Sequence, residues 1–344
     1  MQFSSYLSSS ISKIDRALFE TLGVWEKEIT TIHPSLTPLA RAFAASCRGG
    51  KRLRGILVRL GYELAEGKAS DEIFKVAAAH EIFHTAILVH DDIIDQSEFR
   101  RGKPSLYKVL GGDHYGTSQA ISLGDAGFFL AFKMIAESRF SSDVKTKAMQ
   151  IFADSMLDTS IGEMLDVALP KEKRALKEED VFAIAKLKTA RYSFSGPLVV
   201  GAILAGADQR LLSQLAQFGE NVGIAYQIQD DILGIFGNEN ETGKSVCSDI
   251  SEGKATVLFT HVIKHASKKQ IQIMKRCYGK KDDSIVNVGN IQEIFTKTGS
   301  LAYAQVKVVE YTKSAKDAIT KLSIKENERK ILFELSDFLV RRKK

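Results

Sequence analysis

Apolar residues recur at three- and four-residue intervals along most of the chain, the spacing of amphipathic helices. Leu36, Leu39, Ala40, Phe43 and Ala44 predict a helix over 36–48, which Gly49-Gly50 interrupts. Lys51-Arg52-Leu53-Arg54 then leads into the apolar positions Leu57, Leu60 and Tyr62. Residues 71–95 predict one long helix ending in carboxylates, with Gly102 and Pro104 marking the exit. Further helices are predicted over 118–138, 143–167, 178–191, 208–233, 256–277, 290–313 and 314–341, and 195–206 reads as a buried stretch. The stretch 236–256, rich in Gly, Asn, Asp and Ser, reads as a functional loop, and 279–289 as a polar surface turn.

Alternating strand patterns are nearly absent, and no repeat or clean linker divides the chain. These patterns predict a single all-α domain over 1–344. A chain of 344 residues that is 44% hydrophobic can bury a deep core. No run of about 18 apolar residues marks a membrane span. Met1 to Ser10 lacks the basic start and apolar centre of a secretory signal. The net charge of +6 is spread along the chain except at Arg341-Arg342-Lys343-Lys344, so a small anionic substrate explains it as well as a nucleic acid would. Cys47, Cys247 and Cys277 lack metal-ligand spacing, and so sparse a count fits a reducing, cytoplasmic setting.

Chemistry concentrates in Asp91-Asp92-Ile93-Ile94-Asp95. Asp91 and Asp95, four apart on a helix, project from one face about 6 Å from each other. Their repulsion calls for cations, and an all-oxygen ligand set favours a hard ion, Mg²⁺ first. Asp92 points about 100° away, where it can orient bound waters. Asp230-Asp231 is a looser echo, with Gly234 where a further carboxylate would complete it. Arg100-Arg101-Gly102-Lys103 follows the first cluster, and guanidinium forks match diphosphate oxygens. Gly50-Lys51-Arg52, Lys188, Lys244 and Lys254 are further anion-binding candidates, and His84 would donate to a phosphate oxygen.

These segments together resemble the trans-polyprenyl diphosphate synthases, the farnesyl and geranylgeranyl diphosphate synthase family. The matching pieces are GGKRLRG at 49–55, EIFHTAILVHDDIIDQSEFRRGKPS at 81–105, LGDAGF at 123–128, KTA at 188–190 and YQIQDDILGIFGNENETGKSVCSDISEGKAT at 226–256. The resemblance implies an isoprenoid synthase-type helical bundle around a central cavity, and a homodimer. It implies that Asp91, Asp95 and Asp230 bind three Mg²⁺ ions (Mn²⁺ being the alternative), with Asp92 and Asp231 behind them. Arg100, Lys188 and Lys244 would grip the allylic diphosphate, which is dimethylallyl, geranyl or farnesyl diphosphate. Thr189, Gln227 and Lys254 would line the same group. Gly50, Lys51, Arg52, His84 and Arg101 match the isopentenyl diphosphate site. The implied reaction is head-to-tail trans condensation, with 236–256 as a lid.

Product length is expected to follow the residues before Asp91. Members that stop at fifteen carbons usually carry bulky aromatics where this chain has Ala86 and Ile87. Small Ala86 above large Phe83 predicts geranylgeranyl diphosphate, with twenty carbons, and Phe128, Phe129 and Phe132 as further narrowing groups. A product of twenty-five carbons or more is the alternative. A terpene cyclase and a non-catalytic subunit are the rival readings.

Overall fold

The computed structural model describes residues 3–172, 175–237, 250, 253–279, 288–322 and 324–340. The chain groups into two compact units. The first holds 1–152 and 197–213, the second 153–196 and 214–344.

The first unit opens with a helix the sequence reading did not assign, α1 (Phe3–Ile32). It is followed by α2 (Thr37–Ser46), α3 (Leu53–Leu64) and α4 (Asp71–Ile94). Asp71 and Glu72 begin α4, where carboxylates suit the positive end of the helix dipole. From Ile73 to Ala86 nearly every side chain of α4 is buried except Lys75, so this helix is the unit's central post. The helices α1, α3 and α6 (His114–Ala136) all pack on it. By length and composition α6 is apolar enough to cross a membrane, but it lies along α4. Helix α9 (Gly196–Leu204) crosses α3 where Gly61 and Gly201 meet backbone, and a Cβ on either would overlap a carbonyl oxygen of the other helix.

Between α4 and α5 (Leu106–Val109) stands a feature no strand pattern announced, a two-stranded hairpin. Strands β1 (Phe99–Arg100) and β2 (Lys103–Pro104) pair antiparallel. Arg101 and Gly102 form the turn, both at positive φ (54° and 72°), as a two-residue hairpin loop demands. Strands this short leave no alternation to read.

The helix α7 (Ser142–Ala168) contributes to both units. In the second unit, α8 (Glu178–Ile184) runs into a π-helix over Ala185–Ser195, where a plain helix over 178–191 was expected. Gly196 and then Pro197 follow. The proline ring lacks an N–H and crowds the carbonyl four residues back, which the wider turn accommodates. Helix α10 (Gln209–Phe236) presents Ile224, Ile228, Ile232 and Ile235 to the core at spacings of four, four and three. Helices α11 (Val257–His265), α12 (Lys268–Cys277), α13 (Val288–Lys297), α14 (Ser300–Thr320) and α15 (Glu326–Val340) complete the unit. The expected helix over 290–313 breaks instead at Gly299, which takes φ 73°. The expected helix over 256–277 breaks at Ala266-Ser267, where Ser267 caps α12.

Candidate active site

In the first unit the carboxylates of Asp91-Asp92-Ile93-Ile94-Asp95 occupy the last turn of α4. Asp95 caps the helix through its N–H to the Asp91 carbonyl at 2.9 Å. Asp91 and Asp95 are half-buried, whereas Asp92 turns inward and is buried. The β1–β2 hairpin returns Arg100 to this turn. Its Nη2 donates to Asp91 Oδ2 at 2.8 Å, and its Nε to Asp92 Oδ1 at 2.7 Å. Burial would weaken the guanidinium's hold on its proton, but Asp91 and Asp92 outweigh that and raise its pKa. Arg100 is thus a permanent cation fixed between two carboxylates.

One helical turn and more before Asp91, four arginines collect around His84. This imidazole is buried, and its pKa lies well below the ordinary histidine value. Burial is the first cause, followed by the charges of Arg54, Arg101, Arg100 and Arg52. His84 is therefore neutral, a hydrogen-bond donor among cations rather than a fifth cation. Arg101 stands over Gly50, where a Cβ would meet its Nη2 at 3.1 Å, and Gly50 itself needs the left-handed φ of 87°. Such density of positive charge is stable when an anion sits against it.

Two residues to which the sequence reading gave no part in the anion site belong to this cluster. Arg54, half-buried in the first turn of α3, is the leading charge acting on His84. Buried Glu81, on α4, accepts the Gly55 N–H at 2.8 Å through Oε1, and its Oε2 lies 3.9 Å from Arg52 Nη1. Arg52 is only 3% exposed, with Nε on Asp15 Oδ1 at 2.6 Å. The Lys-Arg-Leu-Arg run offered the signal for Arg54. Nothing local in sequence marked Arg52 as the inward one of the pair.

Below the acidic turn lies an aromatic cluster. Phe83 packs on Phe152 of α7 at 4.8 Å between centroids and on Phe128 of α6 at 5.4 Å. Phe132 and His80 close on the same Phe152 ring at 5.0 and 4.8 Å. Ala86 abuts Gly127, so its small side chain lets α4 and α6 approach, and Ile87 is half-buried. Phe129 does not join the cluster. It projects from the opposite face of α6 and is 74% exposed. The LGDAGF segment also finds a place here. Gly124 makes room for His90, whose ring stacks on Phe128 at 5.3 Å and whose Nε2 lies 3.2 Å from Asp125.

In the second unit, the π-helix carries Lys188 and Thr189. Lys188 Nζ is held by Glu163 and Asp166 of α7, each at 2.7 Å, neither of which the sequence reading singled out. Gly162 permits this, because a Cβ there would overlap the Lys188 backbone. Thr189 Oγ1 donates to Gln227 Oε1 at 2.7 Å, and Gln227 Nε2 donates to Asp231 Oδ1 at 2.9 Å. Asp231 is buried and Asp230 beside it is exposed. A single relay from the π-helix therefore orients Asp231. The Lys254 carbonyl accepts from the Tyr278 hydroxyl. Lys244, most of the expected lid and the basic tail lie outside the described residues.

No three His, Cys, Asp or Glu side chains among the described residues cluster as a metal cage. The donors fit a hard ion whose remaining ligands come from a bound anion and water.

Comparison with known proteins decides the family. The polyprenyl synthetase family model matches residues 37–297. The chain belongs to the polyprenyl synthetase family. It is a trans, head-to-tail prenyltransferase of that family, with the all-α isoprenoid synthase fold. It is similar to the geranylgeranyl diphosphate synthase of Sulfolobus acidocaldarius, with 34% identity covering 86% of this chain and 88% of that one. It is also similar to the geranylfarnesyl diphosphate synthase of Aeropyrum pernix, at 33% identity over 86% and 91%. Among solved structures it resembles the geranylgeranyl pyrophosphate synthase of Corynebacterium glutamicum complexed with isoprenyl diphosphate and magnesium. That match has a TM-score of 0.91 at 26% identity and covers 99% of this chain and 100% of that one. The segment that the family model matches begins after α1 and includes residues of both units.

Proposed function

We propose that this prenyltransferase condenses isopentenyl diphosphate with allylic diphosphates (dimethylallyl, geranyl and farnesyl) and delivers geranylgeranyl diphosphate. The observation that carries the reading is the Arg100 fork on Asp91 and Asp92 beside a neutral histidine ringed by arginines. It supplies anchors for anions and for the cations that accompany them.

Asp91, Asp95 and Asp230 are the proposed ligands of three Mg²⁺ ions, or Mn²⁺, which would neutralise the allylic diphosphate and make it a leaving group. The Corynebacterium relative's magnesium and isoprenyl diphosphate support that role. Arg100, Lys188 and Lys244 are assigned to draw the departing charge, and Thr189, Gln227 and Lys254 to the same allylic diphosphate. Lys51, Arg54 and Arg101 hold isopentenyl diphosphate, and His84 donates to it. The allylic C–O bond breaks to a delocalised cation, the isopentenyl double bond attacks that carbon, and one proton leaves. Neutral His84, its basicity suppressed, is a poor proton acceptor, so released diphosphate takes the proton. Apolar walls keep water from the cation.

Phe83, braced by Phe128 and Phe152, supports a floor for a twenty-carbon product. Small Ala86 favours one second reading, a twenty-five-carbon product, in keeping with the name of the Aeropyrum relative. The family match, which includes residues of both units, supports a single functional domain. The homodimer reading is supported by an apolar stripe on α7, where Leu157 and Met164 are 63% and 62% exposed with Ile161 between them. The cytoplasmic reading draws on the free thiols Cys47 and Cys277.

The test is incubation of the purified chain with labelled isopentenyl diphosphate, each allylic starter and Mg²⁺, with chromatography of the products. Chain elongation to twenty carbons is the expected result. Absence of any condensation would overturn the reading and favour a non-catalytic subunit. Consumption of geranylgeranyl diphosphate alone would favour a cyclase.

A further inference from the structure

Arg52 and Arg54 are two residues apart but do different work. Arg52 precedes the first turn of α3 in the left-handed conformation, with φ 50° and ψ 37°. A non-glycine residue holds that conformation only where its surroundings fix it. Here they do. Asp15 of α1 takes Nε at 2.6 Å, and Glu81 of α4 approaches Nη1 at 3.9 Å. The adjacent Ile14 of α1 is fully buried against Gly55, where a Cβ would meet Ile14 Cδ1 at 2.9 Å and the Ala77 carbonyl at 3.0 Å. The Gly55 N–H, in the first turn of α3, is in turn satisfied by Glu81. Two helices, α1 and α4, thus converge on the start of α3, and α1 presses there with two consecutive residues.

The loop fixed this way carries the diphosphate-binding groups. Gly50 lies under Arg101, Lys51 precedes Arg52, and Arg54 follows it into α3. We propose that Asp15, on α1 and outside the segment that the family model matches, is a positioning residue for the isopentenyl diphosphate subsite, acting through Arg52 on residues 49–52 and the first turn of α3. This inference rests on the function proposed above. Arg52 is then a keystone behind the subsite, with Asp15 and Glu81 as its holders, and Lys51, Arg54 and Arg101 meet the anion. The allylic side has its own anchor in the Arg100–Asp91–Asp92 contacts and is independent of Asp15.

The experiment compares steady-state kinetics of wild type, Asp15→Asn and Glu26→Gln. The last variant breaks a different tie of α1, from Glu26 to Arg41 of α2 at 2.7 Å, and controls for general anchoring of the helix. The expected result is a KM for isopentenyl diphosphate raised about tenfold in Asp15→Asn, with the allylic KM and kcat within about twofold of wild type. Glu26→Gln should leave all three unchanged. Should Asp15→Asn fail to fold, Asp15→Glu carries the test, because it keeps the charge but displaces it by one methylene. It should raise the same KM about threefold. An unchanged isopentenyl diphosphate KM overturns the proposal, as does a parallel rise in both KM values or an equal effect from Glu26→Gln. A wild type that condenses nothing would instead overturn the functional reading.

Discussion

Arg100 Nη2 lies 2.8 Å from Asp91 Oδ2, so the first carboxylate of the acidic turn is already paired with a cation from the hairpin that follows it. The pair is half-buried, which strengthens it relative to a surface bridge. A diphosphate arriving with divalent ions would exchange partners, the ions going to Asp91 and the guanidinium to phosphate oxygens. Arg100→Gln removes the second half of that exchange. The expected outcome is a fall in kcat of about 10²–10³, as for loss of one preorganised donor to a developing oxyanion. Steady-state rates at saturating isopentenyl diphosphate check it. A loss under about threefold would remove Arg100 from the leaving-group side.

Product length should respond to the aromatic cluster beneath α4. Phe83→Ala opens the space above Phe152 and is expected to shift the product by one or more isoprene units, about 5 Å each. Phe128 and Phe152 still cover the sides of that space, so a discrete new maximum is expected rather than a broad ladder. Reversed-phase chromatography of dephosphorylated products gives the answer. An unchanged distribution would place the floor elsewhere. Phe152→Ala, by contrast, empties a fully buried site touched by three rings and should cost about 3–5 kcal/mol of stability.

Much of this was legible in sequence because helical periodicity and charge clustering are local properties. The acidic turn of α4, the Gly49-Gly50 break and the α10 stripe all announce themselves within one or two turns of chain. What stayed hidden depends on distant partners. Arg52 and Arg54 look alike until Asp15, 37 residues earlier, claims one of them. Lys188 is a plausible surface charge until Glu163 and Asp166 enclose it. Phe128 and Phe129 are adjacent and chemically identical, and only the rotation of α6 against α4 decides which ring packs against Phe83. The π-helix is a response to packing at Gly162 and to Pro197, and a spacing tuned to 3.6 residues cannot register it.

The α7 stripe predicts an association that charge can undo. Leu157, Ile161 and Met164 recur at spacings of four and three on an exposed face, a pattern that favours burial against a second helix. Leu157→Glu with Met164→Glu places two carboxylates there. Sedimentation velocity should show the wild type as a dimer and the double variant as a monomer at micromolar concentration. A wild type that sediments as a monomer would remove the dimer reading.

Acid should destabilise the first unit through its buried imidazoles. His80 is depressed from 6.5 to about 4, chiefly by burial, with the Val76 carbonyl opposing and Arg54 assisting. His84 shifts in the same direction. Between pH 6.5 and about 4 the unfolded chain binds a proton at position 80 that the folded chain refuses. Unfolding is therefore favoured as pH falls through that window. The contribution is absent well above 6.5 and complete below about 4. His80→Leu, close in volume, removes the group. Its unfolding free energy should depend less steeply on pH across the window, by up to about 1.4 kcal/mol per pH unit. Urea titrations at half-unit pH intervals measure the slope. Identical slopes for the two proteins would mean that His80 takes up its proton over the same pH range folded and unfolded, and that the ring contact with Phe152 does not keep it dry.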